Sequence, residues 1–251
     1  MDQSAIAAKL RSLRRQLRRS TQPRRRRPVA PAGAKRVARL SWGARTKRYA
    51  VLALKAAVIV TLPFVLYVRT GVEIYSRGAP SWIAIVVSAS VTIGVVSAYA
   101  VWVSRRMSGS AKVRSVAKWI AVPVVAAWSG YSLLYLASAN AKSADVRAHY
   151  TALHPVLRAA LSTIILVNPD LVVTDMARKP EDYARMGLPV NDRTRHYQQP
   201  DGWVHAVDLR TIGRSEIENR AMQMYFWSMG FSTLRHVGTA DHLHVQLRRR
   251  N

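Results

Sequence analysis

The chain has 251 residues, carries 39 Lys+Arg against 13 Asp+Glu for a formal net charge of +26, and is 49% hydrophobic. That is too apolar for a disordered basic tail, and the two properties coexist only if charge and apolar surface are segregated, which argues against a soluble enzyme with evenly spread charge. Cysteine is absent, which excludes disulfide scaffolds, Cys-ligated zinc, iron–sulfur clusters and cysteine nucleophiles.

Residues 1–48 form a basic arm with 16 Lys+Arg and one acid, Asp2. Ile6, Leu10, Leu13 and Leu17 recur at helical spacing with Arg14, Arg15, Arg18 and Arg19 between them, the pattern of a short amphipathic helix. Pro23, the run Arg24–Arg27, Pro28 and Pro31 then predict an extended linker. Such an arm suits anionic lipid headgroups, or it only sets topology. Phosphate binding to nucleic acid has no aromatic interleaving or nucleic-acid fold to support it.

Residues 49–139 hold three apolar segments, at about 51–68, 82–103 and 119–139. The second and third carry no charge. Each suits a membrane crossing, which needs about 20 residues. Trp82, Trp102, Trp119, Tyr67 and Tyr135 lie near their ends, as interfacial aromatics do. The loop at 69–81 is nearly neutral, whereas 104–118 holds Arg105, Arg106, Lys112, Arg114 and Lys118. The positive-inside rule then places the arm and the second loop in the cytoplasm. Three crossings put the C-terminal domain outside an inner, cytoplasmic membrane; without the third crossing that domain is cytoplasmic. No cleavable signal peptide is expected, because the first apolar run starts late.

Residues 140–251 have the pattern of an α+β domain with a small antiparallel sheet. A helix is predicted over 148–166, strands over 170–174 and 205–209, a helix over 214–230 that Gly230 terminates, and strands over 233–237 and 242–247. All seven histidines fall in the last 103 residues, so any chemistry is expected here.

In order, this region contains Thr174-Asp175-Met176-Ala177-Arg178, His196, Ala206-Val207-Asp208 and Asp241-His242-Leu243-His244. The series resembles the D-Ala-D-Ala-type zinc peptidases, of the group that includes lysostaphin-type peptidases and the Hedgehog signalling domain. The resemblance covers about residues 150–247 and none of the membrane segments. It implies zinc on His196, Asp208 and His244 and Arg178 in contact with substrate; Asp241, three residues before His244, is the carboxylate assigned as general base. His242, two residues from His244, would face the same side of a strand and act in the transition state or behind the ligands.

The residue types suit that chemistry. Catalytic zinc takes three His or carboxylate ligands and leaves a fourth position for water. A nearby carboxylate accepts the water's proton, and a guanidinium meets developing negative charge. The spacing departs from the His-x-x-Gly-x-Ala-x-Asp of the group, because His196 lies twelve positions before Asp208. Either a loop around Pro200-Asp201-Gly202 is inserted, or His205 is the ligand; the latter is three residues from Asp208, a poor spacing on a strand.

The expectation is a membrane-anchored zinc peptidase that hydrolyses peptidoglycan stem peptides, as carboxypeptidase or endopeptidase. The alternatives are a non-catalytic wall-binding or sensing protein of the same fold, and a membrane tether whose arm binds anionic lipid or nucleic acid.

Overall fold

The computed structural model describes residues 9, 12–15, 42–109, 112–185, 187, 189, 194–238 and 241–248. The chain divides into two compact units, Met1–Val51 and Leu52–Asn251. In the first, Lys9 and residues 12–15 are helical, and Ser12 Oγ donates to the Lys9 carbonyl at 2.8 Å. Leu13, Arg14 and Arg15 therefore lie in a helix as their spacing predicts. Ile6, Leu10, Leu17, Arg18, Arg19 and the proline-flanked Arg24–Arg27 run lie outside the described residues.

Three long apolar helices come next: α1 (Trp42–Ser76), α2 (Ser81–Ser108) and α3 (Val113–Leu134). Each is long and apolar enough to cross a membrane, and the side chains from 46 to 61 on α1 are exposed, as lipid-facing groups are. Beyond that stretch α1 is covered: Tyr67, Val68, Val72 and Tyr75 are buried. The first two helices contain the predicted segments and run past them. The third differs. It starts at Val113, contains a π-helical turn at Ala117–Ala121 just before Pro123, and ends at Leu134. A proline removes one backbone donor, and a π turn is one way for a helix to absorb that irregularity. Tyr135 is extended (φ −125°, ψ 132°), so 135–139 leave the helix. Its last carbonyls are claimed by the next domain: Tyr150 Oη donates to Ser132 O at 2.6 Å and Arg158 Nη1 donates to Leu133 O. These bonds satisfy terminal acceptors that continued helix would otherwise use.

The C-terminal region contains α4 (Ala144–Ala148), α5 (Pro155–Val167), β1 (Val173–Asp175), α6 (Pro180–Arg185), β2 (Ala206–Arg210), α7 (Glu216–Met229), β3 (Ser232–His236) and β4 (His242–Gln246). The helix expected over 148–166 is broken. Pro155 opens α5, and His154 caps it by accepting from Val156 N–H; proline is favoured at the first helical position and disfavoured inside. α7 matches its sequence signals. Ser215 and Glu218 form a capping box, and Gly230 ends the helix at φ 98°, a backbone conformation that favours glycine.

The four strands form an antiparallel sheet in the order β1-β2-β4-β3. Strand alternation sends Val207 and Leu209 of β2, with Leu243 and Val245 of β4, into the core with Leu157 and Leu161 of α5 and Phe226 of α7. The same core includes Tyr67, Val72 and Tyr75 of α1, Ala84 of α2 and Val125 of α3. The membrane helices and the sheet domain thus bury apolar surface against each other rather than joining through a linker. Gly71 sits where a Cβ would come within 3.0 Å of Ser88 Oγ and 3.1 Å of Val156, so its missing side chain lets α1, α2 and α5 approach.

Candidate metal centre

The sheet's opposite face carries Asp208 and Arg210 of β2 and His242, His244 and Gln246 of β4. The register sets Asp208 against His244 and Arg210 against His242, and directly opposed residues on one face are in contact range. A bulge in β1 adds its own acid: Val173 pairs Leu209 but Asp175 pairs Asp208, so one residue, Thr174, is extra and re-aims the strand's end. Thr174 Oγ1 donates to Asp208 O at 3.1 Å.

His196 comes from the loop before β2, and its carbonyl accepts from Arg178 N–H at 3.0 Å. Its Nε2 lies 3.3 Å from Asp208 Oδ1 and 3.3 Å from His244 Nδ1, and His244 Nδ1 lies 2.8 Å from Asp208 Oδ1. The protein thus brings together the three residues expected as ligands; their ligating atoms fall within 4.8 Å of one another and could hold a metal ion. His196 and Asp208 are 2% and 3% exposed.

The outer nitrogens decide what the inner ones offer. His196 Nδ1 is 2.5 Å from Met176 O, and His244 Nε2 is 3.5 Å from Gln246 Oε1, a long contact. A carbonyl oxygen only accepts, so His196 carries its proton on Nδ1 and turns an Nε2 lone pair inward. With His244 in the matching tautomer, two nitrogen lone pairs and a carboxylate oxygen converge at about hydrogen-bond range. Such a set repels itself unless a proton or a cation lies among the three atoms. A histidine donating its second N–H to a carbonyl is also the usual support of a metal ligand. Burial alone would raise Asp208, but with a proton among the three atoms the hydrogen bonds and charge of His196 and His244 outweigh it and hold Asp208 well below the usual carboxylate range. Asp208 is therefore ionised at neutral pH.

Arg178 braces the carboxylates. Nη2 donates to Asp208 Oδ2 at 2.7 Å, Nε to Asp175 Oδ2 at 2.5 Å and Nη1 to Tyr183 Oη at 3.3 Å. Burial would lower its pKa, but Asp175 and Asp208 together raise it. The residue expected to touch substrate thus first supports Asp208. Asp175 and Tyr183 are site residues that sequence reasoning missed. Tyr183 lies on α6, a six-residue helix too short to show periodicity.

Asp241 lines the same cleft, but its carboxylate is engaged elsewhere. Arg235 binds both oxygens, at 2.7 and 2.9 Å, and Thr211 Oγ1 donates to Oδ1. These hydrogen bonds lower its pKa to about 2. His242 Nε2 lies 3.7 Å from Asp208 Oδ2, and its ring stacks on His236, with centroids 4.7 Å apart. The cleft has a volume of about 1080 Å³, and Lys142, Arg195, Arg210 and Arg248 contribute cations to its walls.

His205, the alternative ligand, faces away from this centre. It belongs to a second group, His154, Asp201 and His205, whose ligating atoms also lie within 4.8 Å of one another. His205 Nε2 is 3.0 Å from both Asp201 oxygens. His154 Nδ1 accepts from Val156 N–H at 3.2 Å, which leaves its proton on Nε2, 2.8 Å from Ser81 Oγ. A nitrogen that keeps its proton is no ligand, so the His196 group has the better donor set. The Pro200-Asp201-Gly202 segment forms a turn between His196 and β2, with Gly202 N–H donating to Gln199 O at 2.9 Å.

Compared with known proteins, the chain matches no family model, no curated protein and no solved structure.

Proposed function

We propose that the protein is a membrane-anchored zinc peptidase that hydrolyses peptidoglycan stem peptides outside the cytoplasmic membrane. The observation that carries this reading is the convergence of His196 Nε2, Asp208 Oδ1 and His244 Nδ1 at 2.8–3.3 Å, open on one side to a cleft. The donor set of two imidazoles and one carboxylate is that of a catalytic zinc site with an open position. Zinc on these residues would supply an acidified water and a Lewis acid for the scissile carbonyl.

The chain's own residues supply the rest. Met176 O fixes the ring of His196, and Arg178 and the bulge at Thr174 fix Asp208. Arg178, Arg210 and Lys142 line the cleft and offer positive charge to a substrate carboxylate or to the oxyanion. Stem peptides carry such carboxylates. Asp241 is the carboxylate assigned to accept the water's proton, with His242 beside it as a transition-state group. The basic loop at 104–118 and the arm favour the cytoplasmic side, which leaves the domain beyond the third span outside.

A second reading is a non-catalytic wall-binding or sensing protein. It is favoured by the capture of Asp241 by Arg235 and Thr211, which weakens it as a base. One experiment separates the two: the full chain in detergent, loaded with zinc, is incubated with purified muropeptides. Cleavage that stops with chelator and in His244→Ala supports the peptidase. Zinc-dependent binding without turnover supports the second reading, and cleavage indifferent to His244→Ala overturns the ligand assignment.

A further inference from the structure

The second polar cluster lies where the first membrane helix meets the sheet domain. Tyr75, one residue before the end of α1, is 2% exposed. Its hydroxyl donates to Asp201 Oδ2 at 2.7 Å and lies 3.3 Å from His205 Nε2. His205 Nε2 is itself 3.0 Å from both Asp201 oxygens, and Trp203 N–H donates to Asp201 Oδ1 at 3.3 Å. The rings of Tyr75, His154 and His205 pack together, with centroids 4.2 to 5.7 Å apart. Ser81 Oγ, at the start of α2, completes the junction by accepting from His154 Nε2.

These bonds grip one particular segment. Asp201 and His205 lie in the ten-residue stretch 196–205 that begins with His196 and leads into β2, which holds Asp208. His205 N–H donates to Arg195 O at 3.0 Å, next to His196, while His205 O accepts from Leu247 N–H at 2.9 Å, just past β4. Asp201 and His205 therefore tie the backbone on both sides of the metal centre. The tie ends on a phenol supplied by a membrane helix. Satisfied buried polar networks hold one arrangement over its alternatives, and ligands in a metal site must be held within about 0.5 Å to act.

We propose that Tyr75 is a positioning residue for the His196–Asp208–His244 centre, acting through Asp201 and His205. The first membrane helix is thereby part of the site's scaffold and not only its anchor. The proposal rests on the reading of that centre as a metal site for its second readout, but not for its first.

The first readout is amide hydrogen exchange in the metal-free full chain. Tyr75→Phe keeps the ring packing and removes the hydroxyl. Asp201→Asn keeps the shape and removes the charge. Both are expected to speed exchange at Val204 and His205 and across 198–203 by tenfold or more. Tyr225→Phe is the control, because it deletes another buried hydroxyl bond, to Ala160 O, that does not touch this segment. Unchanged exchange in the segment, or an equal rise in Tyr225→Phe, overturns the proposal.

The second readout is the visible spectrum of the cobalt-substituted full chain. Tyr75→Phe is expected to shift the d–d bands and speed chelator removal at least tenfold, with Tyr225→Phe like wild type. A wild-type spectrum and removal rate in Tyr75→Phe overturn the positioning role. If the wild-type chain takes up no cobalt, the metal assignment has failed, and the exchange data still decide whether Tyr75 holds the segment.

Discussion

Arg178 and Asp208 give the sharpest test of the charge balance in the centre. Their side chains are 17% and 4% exposed, and Arg178 Nη2 donates to Asp208 Oδ2 at 2.7 Å. Arg178→Gln leaves Asp208 buried with its main permanent cation gone. Breaking a buried pair in this way costs about 3–5 kcal/mol. The partial exposure of Arg178 and, in the metal-free chain, a proton held among His196, His244 and Asp208 put the expected loss near the lower end. For a chain of this size about 3 kcal/mol corresponds to a fall in melting temperature of about 6–12 °C. Metal changes the outcome. A divalent ion on His196, Asp208 and His244 brings its own positive charge to the same carboxylate and, at a thousandfold excess over its dissociation constant, stabilises the folded chain by about 4 kcal/mol. The deficit of Arg178→Gln is therefore expected to shrink by half or more when zinc is added. The assay is thermal unfolding of wild type and variant in detergent, followed by tryptophan fluorescence, with chelator and with zinc. An equal deficit in both conditions, or no deficit with chelator, would refute the assignment of Asp208 as a carboxylate shared by Arg178 and a metal.

Three further outcomes are expected. His154 is buried, and burial, with the neighbouring charge of His205, lowers its pKa to about 3. The unfolded chain then takes up a proton near pH 6.5 that the folded chain refuses, so this residue's contribution is complete above pH 6.5 and declines as pH falls from there toward 3. The slope is about 1.4 kcal/mol per pH unit, and denaturation midpoints measured from pH 7 to pH 5 should flatten in His154→Gln. Gly230→Ala places a methyl at φ 98° and within 2.9 Å of Val72; a loss of about 1–3 kcal/mol is expected from the backbone alone, visible as a lower melting temperature, and a neutral result would contradict the close packing of α7 on α1. Asp241→Asn should lower turnover while leaving zinc content unchanged if Asp241 accepts the proton; full activity in that variant would move the role elsewhere.

Much of the architecture is legible in the sequence because it rests on strong local signals. Long apolar runs mark the three helices, and Gly230 marks the end of α7. Strand alternation places Asp208 and His244 on one face. The misread elements have physical causes. His154-Pro155 interrupts what hydrophobic spacing alone presents as one helix over 148–166. Tyr135 leaves α3 early because the domain captures the helix's terminal carbonyls through Tyr150 and Arg158, partners some twenty residues away in sequence. The site's braces lie close in sequence but carry no signature of their pairing. Asp175 comes opposite Asp208 through a one-residue bulge, and Arg235 meets Asp241 across the connection between β3 and β4. The least legible feature is the junction of Tyr75 and Ser81 with His154, Asp201 and His205. It joins residues more than seventy positions apart, and it gives His205 a place other than the metal centre.

The central claim is the ligand set, and metal content tests it most directly. The full-length protein, purified in detergent, loaded with zinc and freed of excess, is analysed for metal per chain alongside Asp208→Ala, His244→Ala and His149→Ala, a histidine that belongs to neither group. One equivalent in wild type and His149→Ala, with little or none in Asp208→Ala and His244→Ala, is the predicted result. No metal in wild type, or a full equivalent kept by Asp208→Ala and His244→Ala, would contradict it.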